Sequence, residues 1–171
     1  MEPETRAAPT SGLLTEGIGV GLAGALAVAL WFLLVDLVAG RALYTPGALG
    51  SAIFLGASSP DEVVVSATTI GLYTILHGGV FVLVAIGLTA LFRAADRSPS
   101  MVAGILLLAV VLEALFIGAV AIVAQFLLGQ LAWWAVLGGN LVASLAMGGL
   151  LLRSHPRTAA RLSGHDPIPV P

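Results

Sequence analysis

Residues 17–39 read GIGVGLAGALAVALWFLLVDLVA, and Asp36 is the single ionisable side chain in that stretch. A helix that crosses the hydrocarbon core of a bilayer takes roughly 20 predominantly apolar residues, which this segment supplies. Three further stretches do the same, at about 63–92, 101–128 and 131–152. None has the strand-like alternation of a barrel, and lipid offers no partner to open backbone groups, so helices are the spanning form. The sequence therefore predicts an all-α integral membrane protein, a four-transmembrane-helix bundle over residues 17–152. An N-terminal segment, 1–16, and a tail, 153–171, flank it.

Composition points the same way. Of 171 residues, 58% are hydrophobic and 9% charged, with a mean hydropathy of +1.06. A soluble domain usually carries about 25% charged residues, so this chain has too few to cover a water-facing surface. The net charge of −2 argues against a nucleic-acid partner. With no cysteine there is no disulfide, thiolate nucleophile or Cys-ligated metal. The acidic, Pro-containing start, Met1 to Pro9, lacks the basic n-region of a secretory signal, so the first span reads as a retained anchor.

Local signals mark the boundaries. Ser59-Pro60-Asp61-Glu62 resembles the start of the second helix, with a cap residue, a Pro in the first turn and two acids at the positive end of the dipole. Gly129-Gln130 leaves only a tight hairpin between the third and fourth spans, with Trp133 and Trp134 at the level of an aromatic belt. Arg6, Arg93, Arg97, Arg153, Arg157 and Arg161 fall on one side of a four-span chain and Arg41 alone on the other. The positive-inside rule then puts both termini in the cytoplasm, and the composition fits a bacterial inner (plasma) membrane. Residues 46–57 are too short to cross and read as an outer interfacial or re-entrant segment. The polar tail, ending in alternating prolines, reads as disordered.

Polar residues at membrane depth are costly, so each needs a reason. At ~1.5 Å per residue, His77, Glu113 and Asn140 lie about 24, 21 and 20 Å from the cytoplasmic ends of their helices. They form a midplane polar layer on three different helices. Asp36 and Arg41 sit at the outer rim. Glu62, Ser66, Thr69, Tyr73 and His77 follow helical spacing, which makes an outer polar stripe that stops at the buried imidazole. The layer reads either as a hydrogen-bonded clasp between helices or as a proton-relay or solute site. Gly78 and Gly79 leave bare backbone beside His77, which also admits haem or pigment ligation there.

Small residues recur every four positions at Gly17, Gly21, Ala25 and Ala29 on the first span, and at Asn140, Ser144 and Gly148 on the fourth. Such faces let helix backbones approach closely. Gly19-x-Gly21-x-x-Gly24 matches a dinucleotide fingerprint but follows no strand, and His165-Asp166 sits in the tail. No catalytic motif, metal-ligand set or cofactor box stands out. The expectation is a non-enzymatic accessory, scaffolding or interaction subunit that meets the lipid bilayer and other membrane proteins or itself. Proton or small-solute transport is the alternative reading.

Trp31-Phe32-x3-Asp36-x3-Gly40-Arg41-x3-Thr45-Pro46-x2-Leu49-Gly50 resembles uncharacterised small bacterial four-span membrane proteins over residues 17–57. The resemblance implies no activity. It makes Asp36, Arg41, Thr45 and Pro46 a unit at the rim, expected as a salt bridge plus a helix cap.

Overall fold

The computed structural model describes residues 9–98, 102–105, 107–108, 111–112, 114–115, 118 and 133–164. Glu113, the Gly129-Gln130 hairpin and much of the third predicted span lie outside these residues. All regular structure among the described residues is helical. We label the helices α1 (Pro9–Val38), α2 (Tyr44–Leu55), α3 (Ala67–Arg97), α4 (Trp133–Ser154) and α5 (Pro156–Leu162), with a 3₁₀ turn at Pro60–Glu62. Residues 102–118 are helical wherever they are described. Three helices are long and apolar enough to cross a membrane, over Gly12–Val38, Ala67–Arg97 and Trp134–Ser154.

The side chains on α1 are sorted by size in the opposite sense to a soluble helix. Leu14, Ile18, Leu22, Leu26, Leu30 and Leu34 recur every four residues and are 44–61% exposed. The buried side of the same helix carries Gly17, Val20, Gly21, Gly24 and Ala25. On α4 the outward leucines are Leu137, Leu141 and Leu145. In water such an arrangement would forgo about 1.5–3 kcal/mol for each large side chain left exposed. Against lipid it costs nothing, and the small residues let backbones pack.

Close approach is where the glycines act. A Cβ on Gly17 would lie 2.7 Å from Ile86 Cγ1, and one on Gly21 would lie 2.6 Å from Val82 Cα. Gly24 faces Met147, and Gly138 of α4 faces the Trp31 ring. Trp31 Nε1–H donates to Ala135 O at 2.7 Å, and its ring meets Trp134 edge-on at 6.3 Å. Thus Gly17, Gly21 and Ala25 of the small face expected on α1 are buried, whereas Ala29, one turn further, is exposed. On α4 the close approach falls at Gly138 and Gly139, whereas a Cβ on Gly148 would meet nothing within 4 Å.

These contacts fix direction. α1 runs antiparallel to both α3 and α4, so α3 and α4 are parallel to each other. Val20, Ala85, Phe92, Ala95, Ile105, Met147 and Leu151 form the largest buried cluster, toward the Arg-rich end. Ile105 belongs to the segment after α3, so that segment packs into the same core.

Turn chemistry sets the helix ends. Gly40 adopts φ 72° after α1, where Gly40 N–H bonds Leu37 O at 3.0 Å and Arg41 N–H bonds Asp36 O at 2.9 Å, a Schellman stop. Gly56 closes α2 at φ 74°. The segment expected at 46–57 is thus the helix α2, which starts two residues earlier and stops at Leu55, 12 residues and about 18 Å long at ~1.5 Å per residue. It packs on the start of α3, with Gly50 against the Thr69 carbonyl and Ser51 Oγ accepting from Val64 N–H at 3.0 Å. α3 begins at Ala67 rather than beside Ser59, because Ser66 and Thr69 make a reciprocal capping box and Pro60–Glu62 is a separate turn.

Gly21→Val should wedge α1 from α3 and lower stability by about 1–3 kcal/mol. Gly19→Val, on the exposed side where a Cβ meets nothing, should change it by less than about 1 kcal/mol. Thermal unfolding of the two variants in one detergent measures the difference.

Candidate functional site

At the far end of α1, Asp36 is 2% exposed although it is a carboxylate. Its Oδ2 accepts the Thr45 N–H at 2.7 Å and its Oδ1 the Thr45 hydroxyl at 2.7 Å. Thr45 is the second residue of α2, so Asp36 caps that helix from another element. The remaining amides of the first turn are also satisfied. Tyr44 N–H bonds Arg41 O at 3.1 Å, Pro46 has no N–H, and Gly47 N–H reaches Leu43 O at 3.2 Å. Arg41 does not pair with Asp36; its guanidinium lies over the Tyr44 ring, 4.2 Å from the centroid. The predicted rim unit is thus a helix cap, and the salt bridge expected with it is replaced by a cation–π contact.

The outer stripe separates into two parts. Because α3 starts at Ala67, Glu62 and Ser66 precede the helix and do not share its face. Glu62 is exposed and accepts from Ser58 N–H at 2.7 Å. That bond and one from the Ser58 hydroxyl hold its carboxyl below the usual range. Ser66 and Thr69 are occupied in the cap, and Thr69 also donates to Val64 O at 2.7 Å. Tyr73 and His77 remain as neighbours on the helix, stacked with ring centroids 5.6 Å apart.

Of the midplane layer, His77 is half-buried between Tyr73 and Phe81, with Nε2 3.2 Å from Ala25 O. Its polar contact is therefore made to the α1 backbone and not to Asn140. Asn140 is half-buried on α4, and Glu113 lies outside the described residues. The His77 contact in this layer links α3 to α1. Among the described residues no buried side-chain nitrogen or oxygen lacks a hydrogen-bond partner, and no three His, Asp or Glu side chains are grouped to hold a metal.

The densest polar constellation is at the Arg-rich end, where sequence reading placed no site. His155 is buried at the α4–α5 junction, with Nδ1 2.6 Å from Asp96 Oδ2 and Nε2 3.0 Å from Glu16 Oε1. Each ring nitrogen faces a carboxylate oxygen. Arg93 Nη2 completes the set 2.9 Å from Glu16 Oε2. Asp96 Oδ1 accepts the Thr158 N–H at 3.0 Å and the Thr158 hydroxyl at 2.7 Å. Thr158 is in the first turn of α5, so Asp96 caps α5 as Asp36 caps α2.

One signal for this cluster was present in the chain: an Asp near the end of a long apolar helix, and a Thr within two residues of a Pro in the first turn of a short one. It occurs at Asp36 with Thr45-Pro46 and at Asp96 with Pro156-Arg157-Thr158.

Asp36→Ala should leave Thr45 unpaired at a buried site and speed amide exchange in α2 about 10-fold or more, matching a loss of about 1–3 kcal/mol. Asp96→Ala should do so in α5 and leave α2 protected. Hydrogen exchange read by mass spectrometry separates the two.

Comparison of the chain with protein-family models, with curated proteins and with solved structures finds no match in any of the three.

Proposed function

We propose that this chain is a non-enzymatic multi-pass membrane protein that serves as an accessory, scaffolding or interaction subunit. The observation that carries the reading is how its polar side chains are spent. His77 on Ala25 O, Trp31 on Ala135 O, Asp36 on Thr45, and Glu16, Arg93, Asp96 and His155 on one another all tie helix to helix. Side chains engaged in this way hold a shape; they do not gather around a reacting atom. The outward surface is leucine-rich and suited to lipid or to another membrane protein.

Four crossings are part of the proposal. α3 and α4 run in the same direction, which favours a further crossing by the residues between Arg97 and Trp133. Their apolar composition and the helical stretches at 102–118 suit a crossing helix. The five described arginines Arg93, Arg97, Arg153, Arg157 and Arg161 belong to one end and Arg41 to the other, which favours cytoplasmic termini in a bacterial inner membrane. α2, too short to cross, then rests at the outer interface.

Two measurements test this. Purified in mild detergent, the protein should sediment as an oligomer or bring a membrane partner with it; a solitary monomer would overturn the reading. In proteoliposomes His77→Ala should leave proton flux at the wild-type background. Loss of its hydrogen bond, worth about 1 kcal/mol, should lower the melting temperature by about 2–4 °C. A wild-type flux abolished by the substitution would replace the scaffold with a transporter.

A further inference from the structure

The Arg-rich end holds cations whose local acids are already engaged. Glu16 is taken by Arg93 and His155, and Asp96 by His155 and Thr158. Arg97, Arg153 and Arg157 are exposed and make no ion pair among the described residues. Arg161 is half-buried and its guanidinium donates to the Ala95 carbonyl.

Docking of α5 gathers these groups. Thr158 is clamped to Asp96, which holds the start of α5, with Arg157, against the end of α3, with Arg97. Arg161 follows one turn later, anchored two residues from Arg97. Arg153 lies in the last turn of α4, two residues before the His155 bridge. Like charges held this way repel unless an anion lies between them. Guanidinium groups match phosphate oxygens in geometry as well as charge. Leu150, Leu152 and Leu162, each 37% exposed, supply apolar surface beside them.

We propose that Arg97, Arg153, Arg157 and Arg161 form a binding site for the phosphate of an anionic phospholipid headgroup, held in register by the Asp96–Thr158 clamp. The inference rests on the reading that α3 and α4 cross a bilayer, which sets their Arg-bearing ends at headgroup depth. A soluble phosphate would use the guanidinium groups but not the leucines. Because the clamp fixes the arginines before the lipid arrives, binding requires less ordering than a free basic tail would.

Native mass spectrometry of the full chain in mild detergent, with equal phosphatidylglycerol and phosphatidylcholine, measures the preference directly. The wild type should retain phosphatidylglycerol selectively. Arg153→Gln with Arg157→Gln should lower that selectivity about 30-fold, from about 1 kcal/mol per arginine near an anionic surface. Arg41→Gln, at the opposite end, should leave it unchanged. Asp96→Ala separates a built site from diffuse charge. It removes a negative charge, so simple attraction would raise selectivity, whereas release of α5 should lower it several-fold.

Equal retention of both lipids by the wild type would overturn the proposal, as would a rise with Asp96→Ala. So would displacement of the lipid by millimolar inorganic phosphate. Alkaline carbonate extraction of membranes from cells making each variant tests the spanning reading separately. A protein that stays in the pellet yet shows no lipid preference refutes the site and not the spans.

Discussion

A helix backbone comes within touching distance of another only where no Cβ intervenes, and α1 meets that condition toward two partners. Gly17 and Gly21 admit α3, while Gly24 admits Met147 of α4. Trp31, further along α1, fills the gap left by Gly138. α3 and α4 are consequently organised by α1 more than by each other. The His77–Ala25 contact and the Glu16 bridge to His155 both require α1 in place. In lipid, where burying leucine against leucine gains little over burying it against acyl chains, such close packing and a few hydrogen bonds carry helix association.

The two ends of the bundle are finished by one device. A carboxylate near the C-terminal end of a long helix accepts both the N–H and the hydroxyl of a threonine in the first turn of a short one. Asp36 does this for α2 and Asp96 for α5. The acceptor is negative and the helix start is positive, so the dipole adds to the hydrogen bonds. Each short helix lacks the length to be stable alone, and the cap fixes it to a helix that is. The Arg-rich end adds His155 between two acids, joining α1, α3 and the α4–α5 corner through one ring.

Much of this was legible in the chain. Apolar length identified the three spans that the structure describes, and four-residue spacing of small residues identified the packed side of α1 at Gly17, Gly21 and Ala25 but not at the exposed Ala29. The second helix start was misplaced by a local competition: Ser59-Pro60 and Ser66 both have cap chemistry, and Thr69 as a reciprocal partner decides for Ser66. Asp36 was recognised as part of a rim unit but was assigned Arg41, because opposite charge is visible in sequence and a buried N–H is not. The His155 cluster went unread for two reasons. A polar group stands out in sequence by its cost at mid-depth, and Asp96 and His155 lie at helix ends. Their contacts also span 59 and 139 residues, a separation that no periodicity encodes.

The difference between those separations has a consequence for how the chain is made. Asp36 finds Thr45 nine residues later, so α2 is capped almost as soon as it is synthesised. Glu16 has to await His155, 139 residues downstream, which at about 5–20 residues per second is roughly 7 to 30 s. Within that interval Gly17 and Gly21 find α3 once residues 82–86 have been made, well before the imidazole is available. The α1–α2 corner is therefore set first and the Arg-rich end is fastened last, after α5 has emerged. A nascent chain stalled before residue 155 would hold a nearly complete bundle whose Glu16 and Asp96 both still lack the imidazole that joins them.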